Sequence, residues 1–590
     1  MSRSQDICRV PAPDQTWPSG HELLAEGAAE AATWQVGPSP FLKHVGAPDE
    51  ASYKRACAAD GTIMQHAQVG FRDPARTREA CEEIYAQCAV RGFTVDRYGI
   101  CLDWSMAVPR VGRERAQKGT GLILRDVEDF VAIAAAAPVA PHFGDFVLGF
   151  PAALENTRAA LAAGSTAIGN LGQYFTFRTP GFEDDVAATV ATLKALGLIA
   201  AQPVEILIHS NLDDGFAAQF SDLVSCLGAA LLEKHVVETL CGGTLAHCFG
   251  HHFTDPVRRL AFQRALASVS SAPGTMIYGS TMSYRGAPAE NYAGLASYLM
   301  TDIIGQRTTP SGHAINPVPV MENTRIPDVD EIVDAQCFAH RLHDEAENFA
   351  PLIEVQVVDE MVEMLVAEAR HFADRALAGF AEAGVDTNDP FAMLITLRRL
   401  GGYALEELFA ARTANESRRT FVQASLIDEL DGFAKAARSR VPDADVATLA
   451  AGELTILTAS TDVHCHGKMA LDRFLKACGT TVIDGGMTAD HEMLATRAAE
   501  TNISAIAIST YNGVALAFAE RLMAALAADA RTAATPVFIG GRLNQIPETS
   551  NTGLPVDVSD DLATRGARVC NRFEDIVPQL LDIAAAKTGA

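Results

Sequence analysis

The stretch Asp462-Val463-His464-Cys465-His466-Gly467 decides the architecture of the last third of this 590-residue chain. It follows a short apolar run, 454–459, that is typical of a buried parallel strand. An imidazole in the loop after a strand can reach a metal as an axial ligand, and a carboxylate two residues earlier can hold its other ring nitrogen. Such a segment can place His464 on a metal with Asp462 behind it, although a lone histidine in a loop is more often only a loop residue. Gly467 lets the backbone pass close to a bulky ligand because it carries no Cβ atom.

Strand and helix patterns alternate through the rest of this segment. Apolar runs at 480–486, 503–509 and 536–541 predict three further strands, with helices between them. The pattern is typical of a doubly wound parallel sheet, which binds ligands at the carboxyl ends of its strands. Candidate binding residues fall at those ends: Ser509, Tyr511, Gly513, Gly540 and Gly541. Each alone is more often part of an ordinary turn, but three signals in order predict a ligand site.

These motifs resemble the cobalamin-binding domain shared by methionine synthase, methylmalonyl-CoA mutase and glutamate mutase, over residues from about 450 to 590. The resemblance implies a flavodoxin-like (Rossmann-type) fold in which His464 displaces the dimethylbenzimidazole base and ligates cobalt. Ser509 and the Gly540-Gly541 pair would house the displaced nucleotide tail. Tyr511 stands where the family usually has leucine, which alters the shape of the tail pocket. His466 is a rival ligand whose spacing fits the motif less well.

Composition and charge indicate a large cytoplasmic enzyme. The length suffices for two or three domains, and twelve cysteines without a short-period framework indicate reduced thiols. No stretch approaches the roughly 20 consecutive apolar residues that span a bilayer, and the N-terminus has no apolar signal core. A net charge of −26 argues against nucleic acid, because phosphate binding needs basic patches. We expect neither a membrane nor a nucleic-acid partner.

A cluster of potential zinc ligands occurs within one short segment. Cys241 and Cys248 lie near His247, His251 and His252. No Cys-x-x-Cys accompanies them, so we expect no structural zinc from this segment.

Strand–helix repetition through the first 350 residues predicts a (β/α)8 TIM-like barrel, whose active site opens at the carboxyl ends of its strands. The predicted strands include 62–66, 92–96, 165–169, 204–209, 236–240 and 275–279. Residues 351–448 have helical apolar spacing and are interpreted as a helical extension and linker. The predicted organisation is therefore a barrel over 1–350, a helical segment over 351–448 and a cobalamin domain over 449–590.

The barrel segment resembles the catalytic subunit of glutamate mutase (methylaspartate mutase). The matching stretches are Ile63-Met64-Gln65, Pro109-Arg110, 169–180 and 309–315. The resemblance implies adenosylcobalamin, bound base-off and His-on, with both parts of the enzyme fused in one chain. It is also compatible with a homodimer.

Departures from that family bear on the substrate. The family grips a dicarboxylic amino acid with three arginines, because guanidinium forks bind carboxylates at two points. Arg110 retains one of them, whereas Gln68 and His142 occupy the other two positions. Leu171 stands in place of the carboxylate that contacts the amino group, and Phe177 and Gly181 replace two tyrosines. We therefore expect a small carboxylic acid other than glutamate.

The resemblance implies a radical isomerase (carbon-skeleton mutase), with the cofactor carrying the radical chemistry. Arg110, His142, Gln173 and His209 are the candidates for holding substrate at the barrel mouth, and Arg178 is a candidate relocated carboxylate anchor. Each alone is more often a structural residue at a strand end. Two alternatives stay open: a corrinoid methyltransferase, in which 351–448 would form a helical cap, and a non-catalytic cobalamin sensor or carrier.

Overall fold

The computed structural model of the chain divides into two compact units, one up to residue 425 and one from residue 426 onward. The structure describes residues 10–588 except 12, 15, 117, 177, 178, 180, 181, 183, 214–219, 285, 416, 462, 463, 488, 512 and 547–552. The predicted roles of Asp462 and Arg178, and the positions of Phe177 and Gly181, lie outside the described residues.

The first unit alternates strands and helices. Its strands are β1 (His66–Val69), β2 (Arg97–Ile100), β3 (Ala140–Phe143), β4 (Ala167–Ile168), β5 (Leu207–Ser210), β6 (Thr244–Phe249) and β7 (Met276–Ile277). Its helices are α1 (Gly20–Ala29), α2 (Pro40–Val45), α3 (Glu50–Asp60), α4 (Pro74–Val90), α5 (Arg110–Arg113), α6 (Val127–Ala134), α7 (Ala153–Ala162), α8 (Gln173–Thr176), α9 (Asp185–Ala200), α10 (Leu223–Lys234), α11 (Pro256–Val269), α12 (Pro288–Thr308), α13 (Val329–Phe349), α14 (Asp359–Glu382) and α15 (Pro390–Phe409). Asp or Ser caps begin many of these helices, including Asp73 before α4 and Asp255 before α11.

The described strands of the first unit form two parallel sheets in chain order, β1-β2-β3 and β4-β5-β6-β7. An isolated parallel bridge joins Gln65, just before β1, to Ile315. Because all these strands run parallel, their carboxyl ends open on a common side of each sheet. The ladders do not join into one eight-stranded sheet within the described residues, so the closed barrel stays a prediction.

The second unit contains β8 (Thr455–Ser460), β9 (Thr481–Asp484), β10 (Ala505–Thr510), β11 (Val537–Gly541), β12 (Asn544–Gln545), β13 (Val556–Asp557) and β14 (Arg568–Cys570). Its helices are α16 (Ser425–Arg438), α17 (Asp443–Ala451), α18 (His466–Ala477), α19 (His491–Glu500), α20 (Ala515–Ala527), α21 (Ser559–Thr564) and α22 (Val577–Thr588). Five strands form one parallel sheet in the order β14-β11-β10-β8-β9. This Rossmann-like sheet agrees with the predicted C-terminal fold.

Successive residues of the central strand β10 enter different cores. Ile506 and Ile508 pack against α19 and α20, whereas Ala505 and Ala507 face a second core with α18 and α22. Both faces of the sheet are therefore covered by helices, which explains why the strand reads as a continuous apolar run. The chain leaves β8 for β9 on one side and returns to β10 on the other, so the strand order reverses between β8 and β10. Ligands bind at such a switch point in doubly wound folds.

Two predicted strands of the first unit are wrong. The run 92–96 ends just before β2, which starts at Arg97, and the run 236–240 is helical. The run 62–66 overlaps β1 only at His66.

Residues His235–Leu240 form a π-helical turn that continues α10, and the strand β6 starts only at Thr244. A short apolar run with β-branched residues fits a buried helix as well as a strand, and the buried side chains of Val236 and Val237 satisfy either. Gly242, at φ +71°, then ends the helical path in a conformation that favours glycine.

Among the described residues, no helix combines the length and the apolar character needed to cross a lipid bilayer. No disulfide joins any of the described cysteines.

A buried ion cluster holds the amino-terminal part of α3 against β2. The Glu50 carboxylate lies 2.9 Å from Lys54 Nζ and 3.0 Å from Arg97 Nε. The three side chains are only 2%, 1% and 3% exposed, in that order. Burial by itself would raise the pKa of Glu50, but the two cations outweigh it and lower this pKa. The carboxylate is therefore the counter-charge that the two buried cations share.

We predict that Glu50→Gln destabilises the first unit by about 3–5 kcal/mol, because it leaves Lys54 and Arg97 buried without a counter-charge. Urea unfolding followed by tryptophan fluorescence measures this effect selectively, since Trp17, Trp34 and Trp104 all belong to the first unit. The matched control is Glu82→Gln. Its partner is the exposed Arg78, so the control should leave the unfolding midpoint nearly unchanged. Equal midpoints for both variants would contradict the role assigned to Glu50.

Candidate functional site

The loop after β8 positions His464 at the switch point of the second unit. The backbone N–H of Thr461 donates to the Ser509 carbonyl (3.0 Å), which ties the start of this loop to the end of β10. The Ser460 hydroxyl donates to the His464 carbonyl (3.3 Å). These bonds hold the segment that carries the imidazole close to the sheet edge.

Tyr511 lies beside the predicted ligand. The ring centroids of His464 and Tyr511 are 4.6 Å apart, and the Arg542 guanidinium lies 5.2 Å from the Tyr511 centroid. His464 is half-buried. The residue that departs from the family pattern therefore packs against the imidazole. Because Asp462 is outside the described residues, its contact with His464 stays a prediction.

A largely apolar cavity of about 360 Å³ opens at the carboxyl ends of β10 and β11. Gly467, Ser509, Gly540 and Gly541, four of the predicted cofactor residues, line it. A Cβ atom on Gly467 would lie 2.6 Å from Ser509 Oγ, and one on Gly540 would lie 2.9 Å from the Cys570 carbonyl oxygen. Because Gly467 and Gly540 have no side chain, their backbones can lie close to Ser509 and Cys570, and the cavity stays open.

Gly513 shapes the loop after β10 without lining that cavity. Its φ of +68° falls in the left-handed region, and a Cβ atom would lie 2.3 Å from Ile546 Cγ1. Together the site offers a half-buried imidazole at the sheet edge and an apolar slot between glycine backbones. These features fit a corrinoid whose flat, apolar nucleotide base is displaced from cobalt and buried separately.

Comparison with known protein families agrees with this geometry. Residues 452–558 match the family model described as the B12 binding domain. This segment is a B12-binding domain. No curated protein matches the chain. The B12-binding domain supports the predicted cobalamin cofactor, whereas the adenosyl form of the upper ligand stays a prediction.

The first unit contains a separate, polar cavity of about 90 Å³. Four buried histidines line it: His66, His142, His209 and His313. Desolvation, followed by nearby positive charges such as Arg97, lowers the pKa of each imidazole well below its usual value. All four are therefore neutral near pH 7, with one donor and one acceptor nitrogen each.

Strand register brings the residues of this cavity together. His66 pairs with Arg97 across β1 and β2, while Gly99 pairs with both Gln68 and His142. A Cβ atom on Gly99 would lie 2.5 Å from Gln68 Oε1 and 2.5 Å from His66 Nε2. The glycine therefore provides the space in which the neighbouring polar side chains converge.

Among the described residues, Arg97 is the one arginine whose side chain lines this cavity. Its Nε donates to Glu50 (3.0 Å) and its Nη1 donates to Nδ1 of His66 (3.5 Å). Its Nη2 is buried and has no hydrogen-bond partner. A buried donor without a partner costs about 1–3 kcal/mol or more, so the geometry favours an anionic ligand that accepts from Nη2.

Of the residues predicted to hold substrate, His142 lines the cavity and Gln173 does not. His142 lines the cavity, and its Nδ1 donates to the Ala167 carbonyl (3.1 Å), so Nε2 is the acceptor nitrogen. Gln173 lies behind the wall: its Oε1 accepts from Phe146 N (2.8 Å), and its Nε2 donates to Asp145 (3.4 Å).

Arg110 is not part of the cavity lining. Its side chain is 57% exposed, and its Nη2 lies 3.7 Å from Asp126 Oδ2. The structure thus places this retained family arginine on the surface. Arg178 lies outside the described residues.

Sequence reasoning missed several residues that line the cavity, including His66, Arg97, Asp145, Cys248, His313 and Asn316. A period-two pattern could have revealed His66, because Gln68 was already named at one of the arginine positions of the family. His66 and Gln68 are polar at alternate positions of one strand, and alternate residues point to the same face. The remaining residues converge only through contacts between distant strands, which no local pattern reports.

We predict that His464 is the cobalt ligand. With cob(II)alamin bound, each line of the electron paramagnetic resonance spectrum should be split into a triplet by one ¹⁴N nucleus. Labelling the histidines of the protein with ¹⁵N should convert each triplet into a doublet. His464→Ala should abolish the protein-derived splitting, while His466→Ala should retain it. Splitting that persists in His464→Ala would transfer the assignment to another residue.

We predict that Gly467→Val closes the tail cavity. The variant should weaken binding of cobalamin at least tenfold, about 1.4 kcal/mol, because a side chain at this position collides with Ser509. Binding of cobinamide, which lacks the nucleotide tail, should change much less. Gly432→Val is the matched control, because a Cβ atom at this helical glycine meets nothing within 4 Å. An equal loss for both corrinoids, measured by spectroscopic titration, would contradict the assignment.

Proposed function

We propose that this protein is an adenosylcobalamin-dependent radical isomerase, a carbon-skeleton mutase, that acts on a small carboxylic acid other than glutamate. The B12-binding domain at 452–558 supports cobalamin chemistry. The observation that carries the substrate class is the buried cavity of the first unit, with an open guanidinium nitrogen on Arg97.

The proposal includes a closed (β/α)8 barrel for the first unit. Seven parallel strands follow one another in chain order, and an eighth segment around Ile315 bridges back to Gln65 beside β1. The backbone N–H of Gly169 donates to the Phe143 carbonyl (3.5 Å), which connects the ends of the two described sheets. In a barrel of this kind, active sites lie at the carboxyl ends of the strands, where the polar cavity is found.

Arg97 would bind the substrate carboxylate. Its guanidinium is held by Glu50 and by His66, so Nη2 is presented to the cavity with little loss of side-chain entropy on binding. Among the described lining residues it is the single arginine, which suits one carboxylate better than the two of glutamate. Gln68 and His142 occupy the wall beside it and would orient the rest of the acid by neutral hydrogen bonds.

The cavity also protects reactive chemistry from solvent. Its histidines and Arg97 are all less than 9% exposed, so a bound acid would be enclosed by protein groups. When bound, adenosylcobalamin supplies an organic radical that abstracts hydrogen from substrate. The described residues contribute binding, orientation and exclusion of water. Asp145 also lines the cavity, and burial raises the pKa of its carboxyl group to about 6.

Anaerobic electron paramagnetic resonance tests the function. Protein reconstituted with adenosylcobalamin is mixed with a panel of small carboxylic and hydroxy acids. A coupled signal from cobalt(II) and an organic radical with one acid would support the isomerase and identify its substrate class. Silence across the panel with adenosylcobalamin bound, together with methyl transfer from methylcobalamin, would overturn it in favour of a methyltransferase. Silence in both assays would favour a non-catalytic cobalamin carrier.

We predict that Arg97→Lys lowers kcat/KM for the acid roughly 100-fold, or about 2.7 kcal/mol, because an ammonium cannot reproduce the guanidinium fork. Arg259→Lys is the matched control. Arg259 is equally buried and pairs with Asp302, but it does not line the polar cavity. Steady-state kinetics on folded variants, checked by tryptophan fluorescence, measures the difference. A similar loss in both variants would indicate a general structural effect instead of carboxylate binding.

A further inference from the structure

Three buried side chains with metal-binding donors meet in the polar cavity of the first unit. His209 lies on β5, Cys248 on β6, and His313 two residues before Ile315, which bridges to the segment before β1. One donor atom from each side chain lies within 4.8 Å of the others. His209 Nε2 and Cys248 Sγ are 3.3 Å apart. The set therefore combines two imidazoles and one thiol from three separate parts of the chain.

His313 gives an independent reason to expect a ligand. Its side chain is only 4% exposed, and neither ring nitrogen has a hydrogen-bond partner. A buried polar atom without a partner costs about 1–3 kcal/mol, and an imidazole has at least one nitrogen that can bind a metal. An imidazole left in this state beside a thiol and a second imidazole fits a coordination site better than a packed core.

The donor set selects the kind of metal. Imidazole nitrogen and thiolate sulfur suit Zn²⁺ and similar transition metals, whereas Mg²⁺ and Ca²⁺ prefer oxygen ligands. With zinc bonds of about 2.0–2.3 Å in tetrahedral geometry, neighbouring donors lie roughly 3.3–3.8 Å apart. The observed 3.3 Å between His209 and Cys248 agrees with that spacing.

We propose that His209, Cys248 and His313 form a transition-metal site of the zinc class. Three protein ligands leave a fourth position, which is the pattern of catalytic rather than structural zinc. All three residues line the same cavity as Arg97, so the fourth position would accept water or an oxygen atom of the bound acid. Metal binding at this site uses neither His464 nor the corrinoid, whereas its contact with the acid rests on the proposed function.

Metal binding is tested on the full chain without added cobalamin, so that corrin absorption and cobalamin cobalt do not interfere. After treatment with a chelator, the protein is titrated with Zn²⁺ and with Co²⁺. We expect one equivalent of tight zinc per chain by mass spectrometry of the metal content. The Co²⁺ form should show the visible bands of a tetrahedral ion and a sulfur-to-cobalt charge-transfer band.

Variants assign the site to these residues. Cys248→Ser should abolish the charge-transfer band, and His313→Ala should weaken zinc binding at least 100-fold. Zinc should raise the unfolding temperature of the wild type but not of His313→Ala. Two controls match the chemistry at other places: Cys241→Ser, at a buried cysteine before β6, and His343→Ala, at a partly exposed histidine of α13.

Two results would overturn the proposal. One is a wild-type chain that takes up no stoichiometric metal and shows no sulfur-to-cobalt band, which would leave Cys248 and His209 as a hydrogen-bonded thiol–imidazole pair only. The other is tight metal binding that persists in Cys248→Ser and His313→Ala. The wild-type spectrum decides the first point even if a variant fails to fold. Failure of the isomerase assay does not affect either result.

Discussion

Parallel strands end at the same edge of their sheet, and both cavities of this chain depend on that constraint. In the second unit it brings the loop after β8 next to the end of β10, where Thr461 is bonded to Ser509. In the first unit it brings polar residues from successive strands into one enclosed space. Neither arrangement requires long loops, because the backbone hydrogen bonds of the sheets already fix the relative positions of the strand ends.

The second unit was largely predictable because its signals are local. The four predicted strands at 454–459, 480–486, 503–509 and 536–541 correspond closely to β8, β9, β10 and β11. The strands β8, β10 and β11 are short apolar runs because helices cover both faces of the sheet, and Ser509, Gly540 and Gly541 lie at the ends of their strands. The edge strand β9 is more exposed and was recognised by the glycines that follow it. The fifth strand, β14, was missed because it has only three residues, Arg568–Cys570, with no continuous apolar run.

The first unit was predictable only in outline. Alternation of strands and helices was recognised, but the run at 236–240 is helical, and Arg97 was not identified as a site residue. Its importance follows from contacts with two other elements. The Arg97 guanidinium donates hydrogen bonds to Glu50 of α3 and His66 of β1, and its Nη2 remains without a partner. The same holds for Cys248. Its sequence neighbours suggested no zinc motif, whereas its spatial neighbours are His209 on β5 and His313 just before the bridge at Ile315.

The register around Gly99 has an evolutionary consequence. Arg97 lines the cavity and also belongs to the ion cluster with Glu50 and Lys54, so a mutation of Arg97 costs folding stability. Gln68 and His142 are different, since both flank the space left by Gly99 and neither belongs to that cluster. Mutations at these two positions can add or remove a charge while the ion cluster stays intact. Under the proposed function, substrate preference on this scaffold would therefore diverge at Gln68 and His142, while the proposed anchor Arg97 is retained.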